Sequence, residues 1–162
     1  MSPKPVIKDF MHLSQRLQSV DVREIQSWES RKGLTLPDDF KELLLASNGG
    51  LFRGDCFLPY PDEFGDEIRR AVRVYGIGHD EIPYTIGWAV SCFPESQDFP
   101  KNLLPVVEDD SGCCACLEFE TGLFTRVVYW GDDTAFGEQP FDGVQSLPIA
   151  STFSELWDSI HQ

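Results

Sequence analysis

The stretch GLTLPDDFKELLLASNGG, residues 33–50, constrains the fold most because it specifies a short helix together with both of its ends. Pro37 suits the first helical turn, where its missing N–H removes no hydrogen bond, and the acids after it favour the positive end of the helix dipole. The next positions recur at the spacing of one helix face and predict a buried stripe: Phe40, Leu43, Leu44 and Ser47. Asn-Gly-Gly at 48–50 tolerates positive φ, so we expect the helix to stop there in a left-handed cap.

This helix belongs to a longer motif. The members of the motif are Trp28, Glu29, Gly33, Leu36, Pro37, Phe40, Asn48, Gly49 and Gly50. The motif resembles the signature of the SUKH superfamily, which includes the yeast Smi/Knr cell-wall regulators and many bacterial immunity proteins. In that superfamily a helix that ends in an acid and a Gly is followed by Leu-Pro, an acidic and aromatic helix, and an Asn-Gly-Gly stop. A looser likeness continues through residues 104–112, 127–130 and 152–156, so it covers most of the chain from about Val20 onward.

The resemblance implies a function as well as a fold. It implies an antiparallel sheet with helices packed on one face, and a non-enzymatic recognition domain. Many bacterial members look like immunity proteins that neutralise a toxin from the same genetic system, and we expect this chain to be one of them. Two alternatives stay open, a Smi/Knr-like regulatory or scaffold protein and a small-ligand-binding domain. The partner-binding residues of this superfamily vary with the toxin, so the resemblance assigns none.

Composition limits the class of protein. At 162 residues the chain is expected to form one domain, residues 1–162, with residues 1–19 as an N-terminal helical extension. Hydrophobic residues make up 41%, which indicates a globular protein, and no apolar run approaches the roughly 20 residues of a membrane helix. Lys4, Lys8 and Asp9 interrupt the apolar start, so we expect no signal peptide. Five cysteines are an odd number, which favours the reducing cytoplasm over a disulfide framework.

The acidic residues are concentrated in one part of the chain. The net charge is −14, yet residues 1–54 carry eight basic and seven acidic residues, whereas residues 55–162 carry five and twenty. Such a field repels nucleic acid and anionic lipid and attracts basic proteins, so we expect neither nucleic acid nor a membrane as partner. Nuclease toxins must be basic to hold phosphates, so the implied toxin is expected to be basic. Solubility alone is the simpler explanation of the total charge and stays open.

Capping sequences and apolar spacing predict helices towards both ends of the chain. The spacing of apolar residues predicts a helix over residues 6–19. Asp21 with Glu24, and Thr152 with Glu155, have the spacing of a capping box, and each pair precedes an apolar helical stripe. A further short helix is permitted around residues 86–93, between prolines.

Between these helices the sequence predicts strands. They cover residues 51–52, 57–58, 69–77, 104–108, 113–119 and 124–130. The last three are joined by hairpin turn sequences and therefore predict an antiparallel meander, while residues 131–147 are expected to be a loop. The predicted fold class is α+β, an antiparallel sheet with helices packed on one face.

No group of residues in the sequence points to catalysis or to a bound metal. On a strand Cys113 would face one side and Cys114 with Cys116 the other, whereas structural zinc usually takes Cys pairs in loops. Buried free thiols are therefore expected, with no metal and no cofactor. The chain has neither a His-Glu-x-x-His pair nor a Gly-x-Ser-x-Gly elbow. We expect that the protein is not an enzyme.

Aromatic residues that lie among acids are the candidates for a partner-binding surface. They are Tyr84, Trp88, Trp130 and Phe136, and the acids are Asp80, Glu81, Asp132, Asp133 and Glu138. Desolvated aromatic side chains anchor protein interfaces, and acids accelerate association with a basic partner. The alternative for Trp88 and Trp130 is a place in the hydrophobic core. We expect the protein to be a monomer or a weak dimer.

Overall fold

The structure, a computed structural model, describes residues 11–12, 17–58, 70–92, 99–110, 112–131 and 146–160. These residues form a seven-stranded antiparallel sheet, with the strands in chain order, and four α-helices. The strands are β1 (Met11–His12), β2 (Gly50–Phe57), β3 (Arg70–Val74), β4 (Leu103–Asp109), β5 (Cys114–Glu120), β6 (Leu123–Trp130) and β7 (Ser146–Ala150). The helices are α1 (Val22–Lys32), α2 (Asp38–Ala46), α3 (Ile86–Cys92) and α4 (Phe153–Ser159). The fold class is α+β, and the predicted meander is confirmed.

Local capping determines where α1 and α4 begin. Asp21 Oδ1 accepts a hydrogen bond from the Glu24 N–H at 2.8 Å, and Glu24 Oε2 accepts one from the Asp21 N–H at 3.1 Å. At the start of α4, Thr152 Oγ1 accepts from the Glu155 N–H at 3.0 Å. Each bond satisfies an N–H that a first helical turn leaves without a partner. Both predicted helix starts are therefore confirmed. Within the described part of the chain, no helix is both long and apolar enough to cross a membrane.

Both ends of α2 differ from the prediction. Pro37 precedes the first turn in an extended conformation and does not lie within it. At the other end Ser47 is also extended, with φ of −155°, and positive φ first occurs two residues later, at Gly49. The predicted left-handed cap is therefore wrong. The chain leaves α2 in an extended conformation because the residues after Ser47 contact the loop that follows β3.

β1 contradicts the helix predicted over residues 6–19. Met11–His12 pairs with the edge of β2, and residues 17–19 are not helical. Backbone pairing with an open sheet edge satisfies the N–H and C=O groups of these residues. The helical spacing of apolar residues carries no information about such a distant partner, so it predicted a helix instead. The other parts of the predicted extension, 6–10 and 13–16, lie outside the described residues.

β2 and β7 also differ from the prediction. β2 is one continuous strand, where the sequence predicts two short pieces at 51–52 and 57–58. β7 pairs with β6 and begins inside the segment predicted to be a loop, residues 131–147. It contains Pro148, which has no N–H to donate and is tolerated mainly in edge strands. Residues 132–145 lie outside the described part of the chain.

The main hydrophobic core lies between the helices and one face of the sheet. Buried residues of all four helices belong to it, together with alternate residues of β5 and β6. Phe40 of α2 is completely buried, and its ring meets that of Phe153 edge to face with centroids 5.0 Å apart. Asp39 joins the same two helices, since its Oδ2 accepts from the Ser154 N–H at 2.8 Å and the Ser154 hydroxyl at 2.9 Å.

The opposite face of the sheet carries a second, smaller cluster. Its buried members are Leu103, Cys114, Cys116, Val128 and Trp130, and Phe99 packs against them. Cys113 belongs to the main core instead, so the predicted alternation of the cysteines is confirmed. All five cysteines are free thiols. Burial raises the pKa of the Cys114 thiol well above its ordinary value, and the contact with Cys116 raises it further.

Candidate functional site

The predicted binding residues do not all lie together. Asp80, Glu81, Tyr84 and Trp88 belong to one short segment between β3 and the middle of α3. Trp130 is only 1% exposed in the second cluster, so its assignment to the partner-binding surface is wrong. Its burial in that cluster removes the indole from contact with a partner. Four further candidates lie outside the described residues: Asp132, Asp133, Phe136 and Glu138.

Residues 77–85, which we call the site loop, are closed by backbone hydrogen bonds at their base. The Gly76 N–H donates to the Tyr84 carbonyl at 3.2 Å, and the Ile86 N–H donates to the Gly76 carbonyl at 2.8 Å. Within the loop the Ile82 N–H donates to the His79 carbonyl at 2.9 Å. Thr85 Oγ1 donates to the Ile82 carbonyl at 2.9 Å and accepts from the Trp88 N–H at 3.2 Å. These bonds give the loop a defined conformation.

Asn48 attaches the base of the site loop to the rest of the fold. Its Oδ1 accepts from the Ile77 N–H at 2.8 Å, and its Nδ2 donates to the Ile77 carbonyl and the Gln18 carbonyl, each at 2.9 Å. Gly76 lies so close that a Cβ there would be 2.4 Å from Asn48 Oδ1. The Asn-Gly-Gly sequence after α2 therefore supports the site, a role that sequence reasoning missed when it treated these residues as a helix stop.

Tyr84 has the most unusual geometry in the site loop. Its φ is 71°, a left-handed conformation that aromatic residues rarely adopt. The Arg73 guanidinium carbon lies 3.6 Å from the centroid of the Tyr84 ring, and the Trp88 ring meets that ring at 5.0 Å with a T-shaped orientation. Tyr84 nevertheless remains 38% exposed. Neighbouring side chains thus fix an exposed aromatic ring in position.

An ion pair beneath Tyr84 positions Arg73. Arg73 Nε lies 2.9 Å from Glu108 Oε2, and both side chains are largely buried. Tyr75 also contacts Glu108, and burial raises the pKa of Tyr75 far above its ordinary value, with the Glu108 charge adding to the shift. The Tyr75 hydroxyl therefore stays protonated and donates a hydrogen bond to the carboxylate. Because these contacts link β3 to β4, no local sequence signal indicates them.

The two acids of the site loop have different surroundings. Asp80 pairs with Lys32 of α1, at 2.8 Å to Oδ2 and 3.1 Å to Oδ1. A Cβ on Gly87 would be 2.0 Å from Asp80 Oδ1, so this carboxylate also packs against the backbone of α3. Glu81 is exposed and forms no ion pair with any residue in the described ranges. Asp80 therefore holds the loop against α1, whereas Glu81 projects a charge that no described cation neutralises.

A groove of about 600 Å³ separates α1 from the site loop, and we call it the α1–loop groove. Its lining includes Val20, Trp28, Arg31, Ile77, His79 and Ile82. Trp28 is 1% exposed, and its Nε1 has no hydrogen-bond acceptor among the described residues. The Lys32 ammonium lies 5.9 Å from the centroid of the Trp28 ring, so the Lys32–Asp80 pair adjoins the groove.

Comparison with known proteins identifies one relationship. The model of the SMI1 / KNR4 family (SUKH-1) matches residues 19–159, which include α1, α2, the site loop and the sheet from β2 to β7. No curated protein matches the chain, and no solved structure does.

Proposed function

Because the chain belongs to the SMI1 / KNR4 family (SUKH-1), we propose that it is a cytoplasmic immunity protein that binds and neutralises a basic bacterial toxin without catalysing a reaction. The proposed contact surface consists of the site loop and the exposed side of α3. Tyr84 is the anchor of this surface, Trp88 supports the anchor, and Asp80 with Glu81 supplies negative charge. The protein acts as a monomer or a weak dimer.

The geometry of Tyr84 is the observation that carries this proposal. Aromatic anchors at interfaces are most effective when they are already fixed in the bound conformation, because little conformational entropy is then lost on binding. Tyr84 meets this condition through Arg73 and Trp88, while 38% of its surface remains accessible to a partner. Backbone strain retained at an exposed aromatic residue is typical of functional positions.

The distribution of charge supports a basic partner. Residues 55–162 carry twenty acidic and five basic residues, and the site loop belongs to this part of the chain. The exposed Glu81 adds to a long-range attraction that accelerates association and weakens with salt. Asp132, Asp133 and Glu138 are proposed to contribute to the same field.

Co-expression with the product of the neighbouring gene tests this function. Cells that carry the wild-type pair are expected to survive, and the purified proteins are expected to bind with an association rate that falls as salt is raised. Tyr84→Ala should weaken binding by about 2 kcal/mol, or about 30-fold, mainly through faster dissociation. Glu81→Gln should slow association and reduce its salt dependence, and the triple change of Asp132, Asp133 and Glu138 to Asn or Gln should do the same.

Leu123→Ala provides a matched control for Tyr84→Ala. Leu123 is an apolar side chain that is 62% exposed at the β5–β6 hairpin, away from the site loop. The control should bind as the wild type does. Equal affinities for Tyr84→Ala and wild type would remove the site loop from the interface. Absence of both binding and protection would favour a Smi/Knr-like regulatory role instead.

A further inference from the structure

Two ion pairs of the same kind join neighbouring strands of the sheet, and one of them lies against an aromatic ring. Arg73 of β3 is the cross-strand partner of Glu108 of β4, and Arg126 of β6 is the cross-strand partner of Glu118 of β5. In each pair the arginine Nε lies 2.9 Å from a glutamate Oε atom. The Arg73 guanidinium carbon also lies 3.6 Å from the centroid of the Tyr84 ring. Comparison of the two pairs therefore separates the effect of a cross-strand ion pair from the effect of the stacking.

The Arg73 side chain is buried more deeply than a surface ion pair requires. It is 14% exposed, whereas the Arg126 side chain is 49% exposed. Taking a charge out of water costs free energy, and replacement of a buried ion pair by uncharged groups often leaves stability unchanged. The burial of Arg73 is therefore better explained by its contact with Tyr84 than by a contribution to the stability of the sheet.

The residues around Arg73 fix it beneath the ring. Glu108 accepts a hydrogen bond from Tyr75, which is only 5% exposed, so the carboxylate that pairs with Arg73 is itself held in place. The Arg73 guanidinium contacts the Tyr84 ring, and the Trp88 ring meets the same ring in a T-shaped orientation. A ring that its neighbours already hold loses little conformational entropy when a partner covers the rest of its surface.

We propose that Arg73 is a positioning residue, which holds the Tyr84 ring in the orientation that binds the toxin and thereby sets how long the complex lasts. Arg73 acts through the ring, because the ring is 38% exposed and the Arg73 side chain only 14%. Glu108 acts one step further away, since it fixes Arg73. This inference rests on the proposed function of the site loop.

The double change Arg73→Met with Glu108→Gln tests this role. It removes one positive and one negative charge, so the net charge of the protein stays the same, and the new amide oxygen can still accept from Tyr75. Dissociation of the product of the neighbouring gene should become about fivefold faster, because the ring is no longer held before binding. Association and its salt dependence should not change.

The second ion pair provides the matched control, Arg126→Met with Glu118→Gln. These changes remove the same two charges from β6 and β5, so the control should dissociate at the wild-type rate. Equal dissociation rates for wild type and the variant changed at Arg73 and Glu108 would overturn the proposal. Faster dissociation in the control, to the same extent as in that variant, would also overturn it.

Tyr84→Ala separates a positioning role from a direct contact between Arg73 and the toxin. In a protein that already carries Tyr84→Ala, the changes at Arg73 and Glu108 should not accelerate dissociation further, because no ring is left to orient. A further fivefold increase would show that Arg73 acts independently of Tyr84, and it would overturn the proposal.

Nuclear Overhauser effects in the free protein test the orientation of the ring without a toxin. Effects between the ring protons of Tyr84 and the indole protons of Trp88 are expected in wild type and in the control, and they should weaken in the variant changed at Arg73 and Glu108. Their persistence at full strength would overturn the positioning role. If the wild type does not bind the product of the neighbouring gene, the proposed function fails, and these spectra still decide whether Arg73 positions Tyr84.

Arg73→Lys keeps the proposal testable if the double variant does not fold. It retains a positive charge beside Glu108, but an ammonium group cannot stack flat on the Tyr84 ring. The urea midpoint should stay close to that of the wild type, while dissociation should again be faster, by about threefold. A wild-type dissociation rate, or a lowered midpoint that accounts for the weaker binding, would overturn the proposal.

Discussion

α2 and the site loop use positive φ angles in opposite ways. Around α2 these angles occur at Gly33, which ends α1, and at Gly49, which follows α2, and neither position has a side chain to accommodate. In the site loop the same backbone conformation occurs at Tyr84, whose large ring stays partly exposed. At Gly49 a Cβ would be 2.9 Å from the backbone of Gly76 and Val74, so glycine there avoids both strain and a clash, whereas at Tyr84 the strain is retained where an exposed side chain is held in one orientation. α2 and the Asn-Gly-Gly residues after it should therefore govern stability, and the site loop should govern binding.

Phe40→Ala should produce the largest loss of stability. Phe40 is fully buried and packs edge to face on Phe153, so truncation leaves a cavity in the main core. The free energy of unfolding should fall by roughly 3–5 kcal/mol. Urea unfolding followed by circular dichroism measures this change. A loss below about 1 kcal/mol would place α2 outside the stabilising core and contradict the proposed contrast between α2 and the site loop.

Asn48→Ala should rank next, because it removes the bonds that join the two regions. Ile77 would lose its side-chain partners for both N–H and C=O, and Gln18 would lose a donor to its carbonyl. The expected loss is about 3 kcal/mol, at roughly 1 kcal/mol for each bond. Asn48→Asp keeps an acceptor for the Ile77 N–H but has no N–H to donate. Hydrogen exchange at Ile77 should accelerate more in the Ala variant than in the Asp variant.

Tyr75 should make stability depend on pH under alkaline conditions. Its pKa is raised in the folded state far above the ordinary tyrosine value of 10.0, chiefly by burial. The stabilisation is therefore complete below pH 10 and is lost as pH rises above that value, because only the unfolded chain then releases the proton. The loss should be about 1.4 kcal/mol per pH unit. Urea titrations at several alkaline pH values should show a shallower decline for Tyr75→Phe than for wild type.

Tyr84→Ala should change stability by less than about 1 kcal/mol, although it should abolish most of the proposed binding. The variant loses the contacts of the ring with Arg73 and Trp88, but it creates no cavity because the ring is partly in water. Thermal unfolding compared with Phe40→Ala quantifies the contrast. A loss similar to that of Phe40→Ala would show that Tyr84 is a core residue and that its exposure has no binding role.

Lys32→Met should have the smallest effect on stability. The pair with Asp80 has side chains that are 29% and 54% exposed, and ion pairs with this exposure contribute about 0.5 kcal/mol or less. The variant should melt within a degree or two of the wild type. Its melting temperature should also no longer show the salt dependence that the Lys32–Asp80 pair causes. A clear fall in partner association without a change in melting would show that Lys32 orients Asp80 for binding.

The features that the sequence predicts correctly depend on neighbouring residues. The capping box of Asp21 and Glu24 forms within one helical turn, and the β5–β6 hairpin turns at Thr121 and Gly122, whose φ values are 50° and 81°. Turn and cap preferences of this kind are encoded over three or four residues. The α+β class and the meander follow from them together with the alternation of apolar residues.

The features that the sequence does not predict depend on distant contacts. Asn48 and Ile77 are 29 residues apart, and neither has a local pattern that indicates the bonds between them. The stacking of Tyr84 on Arg73 requires the register of β3 against the site loop, which the sequence alone does not supply. The search for aromatic residues among acids selected the neighbours Asp80, Glu81, Tyr84 and Trp88 as candidates. The same criterion also selected Trp130, which is buried.

The way the site loop is closed has an evolutionary consequence. Its base is held by backbone groups of Gly76, Tyr84 and Ile86 and by the side chain of Asn48, and in the exposed tip at residues 79–84 the side chain of Asp80 pairs with Lys32 of α1. Mutations at the tip residues other than Asp80 can therefore accumulate without altering the contacts that support the loop. A lineage that meets a new antagonist could exchange these side chains one at a time, and a protein engineer could diversify the same five positions as a library while leaving Asn48, Gly49, Gly76 and Asp80 unchanged.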